Sequence, residues 1–442
     1  MSATGVSLDV ARELRAICGE EFVVDDPEKL HHNWVNLASP SVAIWPGSAD
    51  ETAAVLRVAN DSGLDIVPAG GGTRQYFGRR ERAKGVLYTT RLTEVEHYDH
   101  ADLTVGVGAG TTVAQLNAML GADKLMFAAD PPLPEHCTVG GLLATASHGP
   151  LRHGFGAVRD FCIGVRFVSG DGRKAKGGGR VVKNVAGYDL MKLLIGSYGT
   201  LGVITSASFK LFPAPRQTRT FLAEFASAKD TLDFRDRVMR SPLSPMCLEL
   251  VCPEARKLMR PEMASDAWVM CVRAAGSDAV LARYRKELGS AITREVEGEA
   301  ETKMWRAIED FPITSEYRQS DNWMRHLPMF MRTLSLVVPP ADVLSVTEIV
   351  KKAAHPEVTG AAIIGRVGIG HIMARLWTIH MEVQQPEPFV IEELAKQLSP
   401  AVNITDSIAP NPWPIAPPHL ASMRAVKQAM DPKNVLRGRE IF

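Results

Sequence analysis

The sequence predicts a two-part α+β protein, and three observations predict it. A strand–helix–strand unit ends in a glycine loop near residue 70. A Pro213-Ala214-Pro215 break follows a glycine-rich first half. Beyond it, apolar stretches alternate with charged helical segments. Residues 1–215 form the expected first domain, with a lead-in over 1–38. Residues 216–410 form the second, and residues 411–442 return to the first. A chain of 442 residues is long for one core and suits two or three domains.

Leu8, Val10, Leu14 and Ile17 fall at helical spacing over 8–18. Val42-Ala43-Ile44-Trp45-Pro46 reads as a short buried strand stopped by proline. Ser48 then caps a helix with an acidic first turn (Asp50, Glu51) that runs through Val55, Leu56 and Val58 to Gly63. The apolar run to Val67 is a second strand, opening at Pro68 into Ala69-Gly70-Gly71-Gly72-Thr73. The unit therefore implies a small parallel sheet with this loop at its carboxyl edge. Successive N–H groups of such a loop can turn inward and cradle a phosphate, although an isolated triple glycine is by itself a plain turn. Neither a Gly-x-x-x-x-Gly-Lys loop nor a Gly-x-Gly-x-x-Gly turn is present.

Val86-Leu87-Tyr88 and Leu103–Val107 are further strands, the second feeding a helix marked by Val113, Leu116 and Leu120. From Cys137 the glycines are dense enough to predict a long ordered loop rather than a helix interior. Strands follow at 162–168 and 201–211, with a Gly170-Asp171-Gly172 turn after the first. Gly177-Gly178-Gly179 reads as a hairpin turn. In the second half, Trp268–Val272, Leu334–Val338 and Ile363-Ile364 are apolar, and 278–289, 342–354 and 388–398 are helical. This predicts an antiparallel sheet with helices on one face. A last helix spans 419–430.

Lys plus Arg and Asp plus Glu each total 50, so no global charge draws the chain to nucleic acid. The basic run Arg79, Arg80, Arg82, Lys84 is interrupted by Glu81 and reads as a solvated loop. The six cysteines (18, 137, 162, 247, 252, 271) show no Cys-x-x-Cys and no iron–sulphur or zinc spacing, which predicts reduced, separate thiols. No signal peptide and no stretch of about twenty apolar residues is read, so the expected location is cytoplasmic, peripheral to a membrane at most through partners.

The loop at 67–73 does not stand alone. Cys137-Thr138-Val139-Gly140-Gly141, Thr145-Ala146-Ser147-His148-Gly149, Gly154-Phe155-Gly156, Asn184–Leu190 and Gly199-Thr200-Leu201-Gly202-Val203-Ile204 follow in order. Together the set resembles the FAD-binding domain of the vanillyl-alcohol oxidase / p-cresol methylhydroxylase (PCMH-type) superfamily. Within it the likeness is to glycolate oxidase flavin subunits and to D-lactate and D-2-hydroxyglutarate dehydrogenases. The resemblance implies a two-subdomain FAD-binding domain under an α+β cap with an antiparallel sheet. It also implies that Pro68, Ala69, Gly70, Gly71, Gly72 and Thr73 hold the pyrophosphate. Thr138, Gly140, Gly141, Thr145, Ser147, His148 and Gly149 would line the other side, with Tyr188 near the isoalloxazine and Gly202 and Ile204 near the adenine. No histidine lies in 66–78, and Cys137 occupies a position where some relatives link flavin; the cofactor is expected to be non-covalent. Relatives end in an Asp-Pro run followed by Asn-Pro-Gly. Here Arg437-Gly438-Arg439 stands there, which leaves the tail's contact with flavin open.

The same relatives carry metal-binding histidines in the cap. Arg366 and Met373 occupy those positions here, and His371 alone makes no site, so no catalytic metal is expected. The expected reaction is oxidation of a small 2-hydroxy acid, glycolate or D-lactate, by hydride transfer to flavin N5. His148 and His371 are candidate bases, and Arg366 and Arg332 candidate partners of the carboxylate. Each equally suits a structural ion pair or a satisfied core histidine. Electrons would leave to a separate iron–sulphur subunit, with a second flavin subunit possible in a glycolate oxidase-like complex. The alternatives are an accessory flavin subunit of that complex, or a metal-free oxidoreductase for an aromatic or other alcohol.

Overall fold

The computed structural model describes residues 6–30, 40–74, 83–180, 189–259, 265–312, 330–352, 360–378, 403–404 and 419–438, with backbone alone at 330–332, 378 and 403–404. The chain forms two compact units. The first is Met1–His148, Ala157–Ala214 and Pro417–Phe442; the second is Gly149–Gly156 and Pro215–Ala416. Lys183–Tyr188, the Arg79–Arg82 run, the helix expected at 388–398 and the proline return at 411–418 lie outside the described residues.

The first unit holds two principal sheets. One has the order Val23–Val24, Val42–Ile44, Gly85–Tyr88, Ile66–Ala69. Its last three strands are parallel, because helix Ala49–Ser62 carries the chain from the end of Val42–Ile44 back to the start of Ile66–Ala69. That helix begins where Ser48 Oγ accepts from Glu51 N at 3.0 Å and ends at Gly63, left-handed at φ 69°. The strands read as unbroken apolar runs because both faces are covered. Ile44, Ile66 and Leu87 pack with Leu14 and Leu56, while Ala43, Val67 and Val86 join Tyr88 on the other side.

The other sheet is antiparallel, in the order Val95–Asp99, Thr104–Gly108, Val203–Lys210, Cys162–Val168, Lys174–Gly178. Phe127 centres its core, edge-on to Phe161 at 5.6 Å and to Phe209 at 4.8 Å.

Two local expectations are corrected. The stretch after Cys137 is a helix, Val139–Thr145, not a loop. Thr138 Oγ1 caps it by accepting from Gly141 N at 3.2 Å, and Gly140 N donates to Ala109 O at 2.8 Å. A Cβ at Gly140 would stand 3.0 Å from that of Ala109. The glycines thus cost helix propensity but let this helix seat backbone to backbone against the sheet. Gly177 and Gly178 are likewise not a hairpin turn: they pair with Val165 and Gly164 in an edge strand, and the reversal is made by Gly170-Asp171-Gly172.

The second unit is built on an antiparallel sheet of eight strands. Their order is Arg294–Val296, Thr218–Phe225, Trp268–Ala275, Cys247–Val251, Gly360–Arg366, His371–Thr378, Phe330–Val337, Asn403–Ile404. The three apolar stretches of the sequence become strands of it, and Asp278–Leu288 and Val343–Lys352 are helices. The short helix Arg152–Phe155 belongs to this unit, and its His153 ring lies against Gly368. Burial holds the His153 imidazole below its usual 6.5. The unfolded chain therefore takes up a proton near 6.5 that the folded unit refuses until lower pH. Stability is unaffected above that value and falls as pH drops through it. Urea unfolding at pH 7.5 and 5.5 should show this loss in the native protein and a smaller one in His153→Gln.

Candidate functional site

The parallel strands end on one edge, where Ile66–Ala69 opens into the glycine loop. Beneath that edge the first unit contains an open cleft. Pro68, Ala69, Gly70, Gly71, Gly72 and Thr73 form one wall, and Thr138, Gly140, Gly141 and Thr145 the next. Gly202 and Ile204 close a third. These residues come from three separate stretches of the chain and meet because helix Val139–Thr145 sits on the sheet that Val203–Lys210 joins.

The close approach of the two glycine stretches is a steric fact. A Cβ on Gly70 would collide with Thr138 Oγ1, and one on Gly71 with the carbonyl oxygen of His136. Gly199, at φ 78°, lies over Pro68, where a Cβ would stand 3.1 Å from Cγ. The result is a cleft with bare backbone, threonine hydroxyls, apolar Val67, Ala144 and Val203, and one guanidinium, that of Arg74. That mixture fits a cofactor carrying a diphosphate between flat apolar rings, so the residues present suit FAD.

Not every expected residue is there. Ser147, His148 and Gly149 are absent from the lining, and Gly149 belongs to the second unit. Ser147 is buried and accepts from Arg74 Nε at 3.1 Å and Nη2 at 2.8 Å. His148 is half-buried. Tyr188 lies outside the described residues. The lining residues that sequence reasoning missed are chiefly Arg74, Tyr198 and Gly438. Arg74 needed only one more position of the loop to be read. Tyr198 is left-handed at φ 53° with its N–H on Ala144 O at 2.7 Å, a strained conformation that no residue-type rule marks.

The tail packs back on the first unit over the residues described to 438. Ile66 N donates to Val435 O at 2.8 Å and Arg437 N to Ile66 O at 2.7 Å, so the tail extends the parallel sheet by one bridge. This sets Gly438 in the cleft wall, where a Cβ would collide with Tyr198 O. Lys427 Nζ ties the arrangement, donating to Thr200 O at 2.8 Å, Leu436 O at 2.9 Å and Asp431 Oδ2 at 2.5 Å.

Cys137 is 1 % exposed, does not line the cleft, and has its thiol pushed up to about 11 by burial. Cys162, Cys252 and Cys271 are pushed up to about 12 for the same reason, and all six cysteines are buried and unpaired with one another. A thiol reagent such as Ellman's should therefore label none of them in minutes in the native protein and all six in guanidinium. Acid precipitation should leave the flavin in the supernatant, and Cys137→Ser should retain it.

In the second unit, Arg366 and His371 face each other across adjacent strands. Arg366 is 1 % and His371 3 % exposed. Arg366 Nη1 donates to His371 Nδ1 at 2.9 Å, because a guanidinium has no lone pair to offer. His371 is thereby fixed as the neutral Nε2–H tautomer, and Nε2–H donates to Ser335 Oγ at 2.7 Å. Arg366 also reaches Met373 Sδ at 3.0 Å and pairs with buried Glu249 at 3.5 Å. His371 Nδ1 thus accepts from Arg366, and the Arg366 guanidinium stands 3.5 Å from the Glu249 carboxylate. The Arg332 side chain lies outside the described residues. Among the described residues no group of three or more His, Cys, Asp or Glu side chains is placed to hold a metal ion, and no helix is long and apolar enough to cross a membrane.

Comparison with known proteins agrees with this geometry. Residues 40–176 match the family described as FAD binding domain. The chain is 35 % identical over 232 residues to a D-lactate dehydrogenase of Archaeoglobus fulgidus, covering 52 % of this chain and 51 % of that protein. Against glycolate oxidase subunit GlcE of Escherichia coli it is 33 % identical over 204 residues, 45 % of this chain and 58 % of that one. Against subunit GlcD of Bacillus subtilis it is 25 % identical over 421 residues, 91 % and 89 % of the two. The stronger identities thus span about half the length of those relatives. Among solved structures, p-cresol methylhydroxylase with substrate bound superposes with a TM-score of 0.77 at 15 % identity, over 98 % of this chain and 97 % of that one. Residues 40–176 thus form an FAD binding domain, the fold is that of p-cresol methylhydroxylase, and FAD is the cofactor.

Proposed function

We propose that the chain is an FAD-dependent oxidoreductase acting on the CH–OH group of a small 2-hydroxy acid, of the glycolate or D-lactate class. The observation that carries this is the cleft of the first unit, formed by the two glycine stretches, in a chain whose relatives are named for oxidising such acids. Bound FAD supplies the acceptor for the hydride that leaves the carbinol carbon. The chain's own part is to hold it: the backbone N–H groups of Gly70–Thr73 and the hydroxyls of Thr73 and Thr138 bind it. Apolar Val67, Val203 and Ile204 exclude water from its rings. His148, half-buried just beyond Ser147, is the base we assign for the hydroxyl proton, and Arg332 the cation for the carboxylate. We assign Arg366 and His371 a structural role. With six dispersed, buried cysteines, electrons pass to a separate acceptor, an iron–sulphur subunit in a complex of the glycolate oxidase kind.

A second reading has one observation in its favour. Arg366 and His371 are buried and paired within the second unit, so neither stands ready for substrate there. This suits an accessory flavin subunit that relays electrons in such a complex, as does the GlcE likeness. Anaerobic mixing of the purified chain with glycolate, D-lactate and D-2-hydroxyglutarate separates the two. Bleaching near 450 nm (roughly the oxidised flavin band) by one acid alone supports the dehydrogenase. A flavin that stays oxidised with all three, yet bleaches once partner subunits are added, supports the accessory role.

A further inference from the structure

FAD brings a diphosphate into the cleft, with about two negative charges at neutral pH. Bare N–H groups at a loop supply partial charge only. Among the described residues that line the cleft, Arg74 alone carries a full charge. It directly follows Thr73, so it continues the loop whose backbone faces the cleft. Its position is also fixed from behind. Ser147, buried at 4 %, accepts from both Nε and Nη2, which keeps the guanidinium plane from swinging free. A guanidinium in the cleft wall beside a glycine cradle, its plane held by Ser147, brings a full positive charge to the place where phosphate oxygens would lie.

We propose that Arg74 is the diphosphate-binding cation of this flavoprotein and that Ser147 is the residue that positions it. This rests on FAD occupying the cleft, not on which acid is oxidised. Arg74 thereby adds to the affinity for any ligand that carries the diphosphate and nothing to the affinity for the bare ring system. Ser147, absent from the lining, acts on the cofactor through Arg74 alone.

The test uses the holoprotein. Dissociation constants for FAD follow from the fluorescence released on dilution, and those for ADP and riboflavin from competition. They are compared for the native protein and for Arg74→Gln, Arg74→Lys and Ser147→Ala. Arg74→Gln should weaken FAD and ADP together by about ten- to a hundredfold, as expected for loss of charge-assisted hydrogen bonds, and leave riboflavin unchanged. Its FAD affinity should also lose most of its dependence on sodium chloride. Arg74→Lys should restore the salt dependence and part of the affinity. Ser147→Ala should weaken FAD and ADP a few-fold without altering the salt dependence. FAD and ADP constants within twofold of native in Arg74→Gln would overturn the proposal. So would an unchanged ADP constant with a shifted flavin midpoint potential, since that places the charge at the ring. If Arg74→Gln does not fold by circular dichroism, Arg74→Lys and Ser147→Ala decide by the same criteria. A flavin bound as predicted yet bleached by no hydroxy acid would count against the functional reading and leave this one intact.

Discussion

Gly71→Ala is expected to strip the protein of flavin while the rest of the chain stays folded. The added methyl would overlap the carbonyl oxygen of His136, a backbone atom that cannot rotate away. One of the two loops must shift, and Gly70–Thr73 is the wall that holds the cofactor. Overpacking of this kind costs up to about 3 kcal/mol, or about a hundredfold in affinity if it falls on the bound state. Gly70→Ala is the internal control. Its methyl meets Thr138 Oγ1, a side chain that can turn. The cost is then loss of the cap on Val139–Thr145, about 1 kcal/mol, and about fivefold in affinity. The ratio of 450 nm to 280 nm absorbance of purified protein, with circular dichroism for folding, checks both. Equal flavin content in the two variants would mean that the loops part more easily than their contact implies.

Asp431→Ala is expected to undo the tail. The Asp431 carboxylate is fully buried and accepts from Val435 N and Leu436 N at 2.8 Å each, and from Lys427 Nζ at 2.5 Å. Removing it strands two N–H groups and leaves a nearly buried ammonium without its counter-charge, at a cost of about 3–5 kcal/mol. The bridge between Leu436 and Ile66 and the placing of Gly438 in the cleft wall depend on that turn. Flavin release on heating, followed by fluorescence, should therefore come several degrees earlier, with weaker FAD binding at 25 °C. Lys427→Met should do the same, and the double variant should lose less than the sum, because the two residues act as one unit. Additive losses would show that the tail is held elsewhere.

The sequence by itself determined the parts governed by nearest neighbours along the chain. Ser48 and Gly63 bound a helix because a hydroxyl cap and a left-handed stop are local devices. The run 66–69 is a strand that opens into a glycine loop because its apolar residues run into proline and three glycines follow. The order of glycine motifs pointed to FAD through its resemblance to the PCMH-type superfamily. Tertiary structure decided what depends on partners distant in sequence. Gly140 weakens a helix locally, yet lies in one because Ala109, thirty-one positions earlier, crowds out a side chain there. Arg366 and His371 looked like catalytic groups because an arginine and a histidine in a cap are chemically equipped for it. Only the fold shows that they are buried, face each other across adjacent strands and lie beside Glu249 and Ser335. Gly438 enters the cleft wall for the same kind of reason: residues 435–437 pair with Ile66, nearly 370 positions away, and no local pattern encodes that meeting.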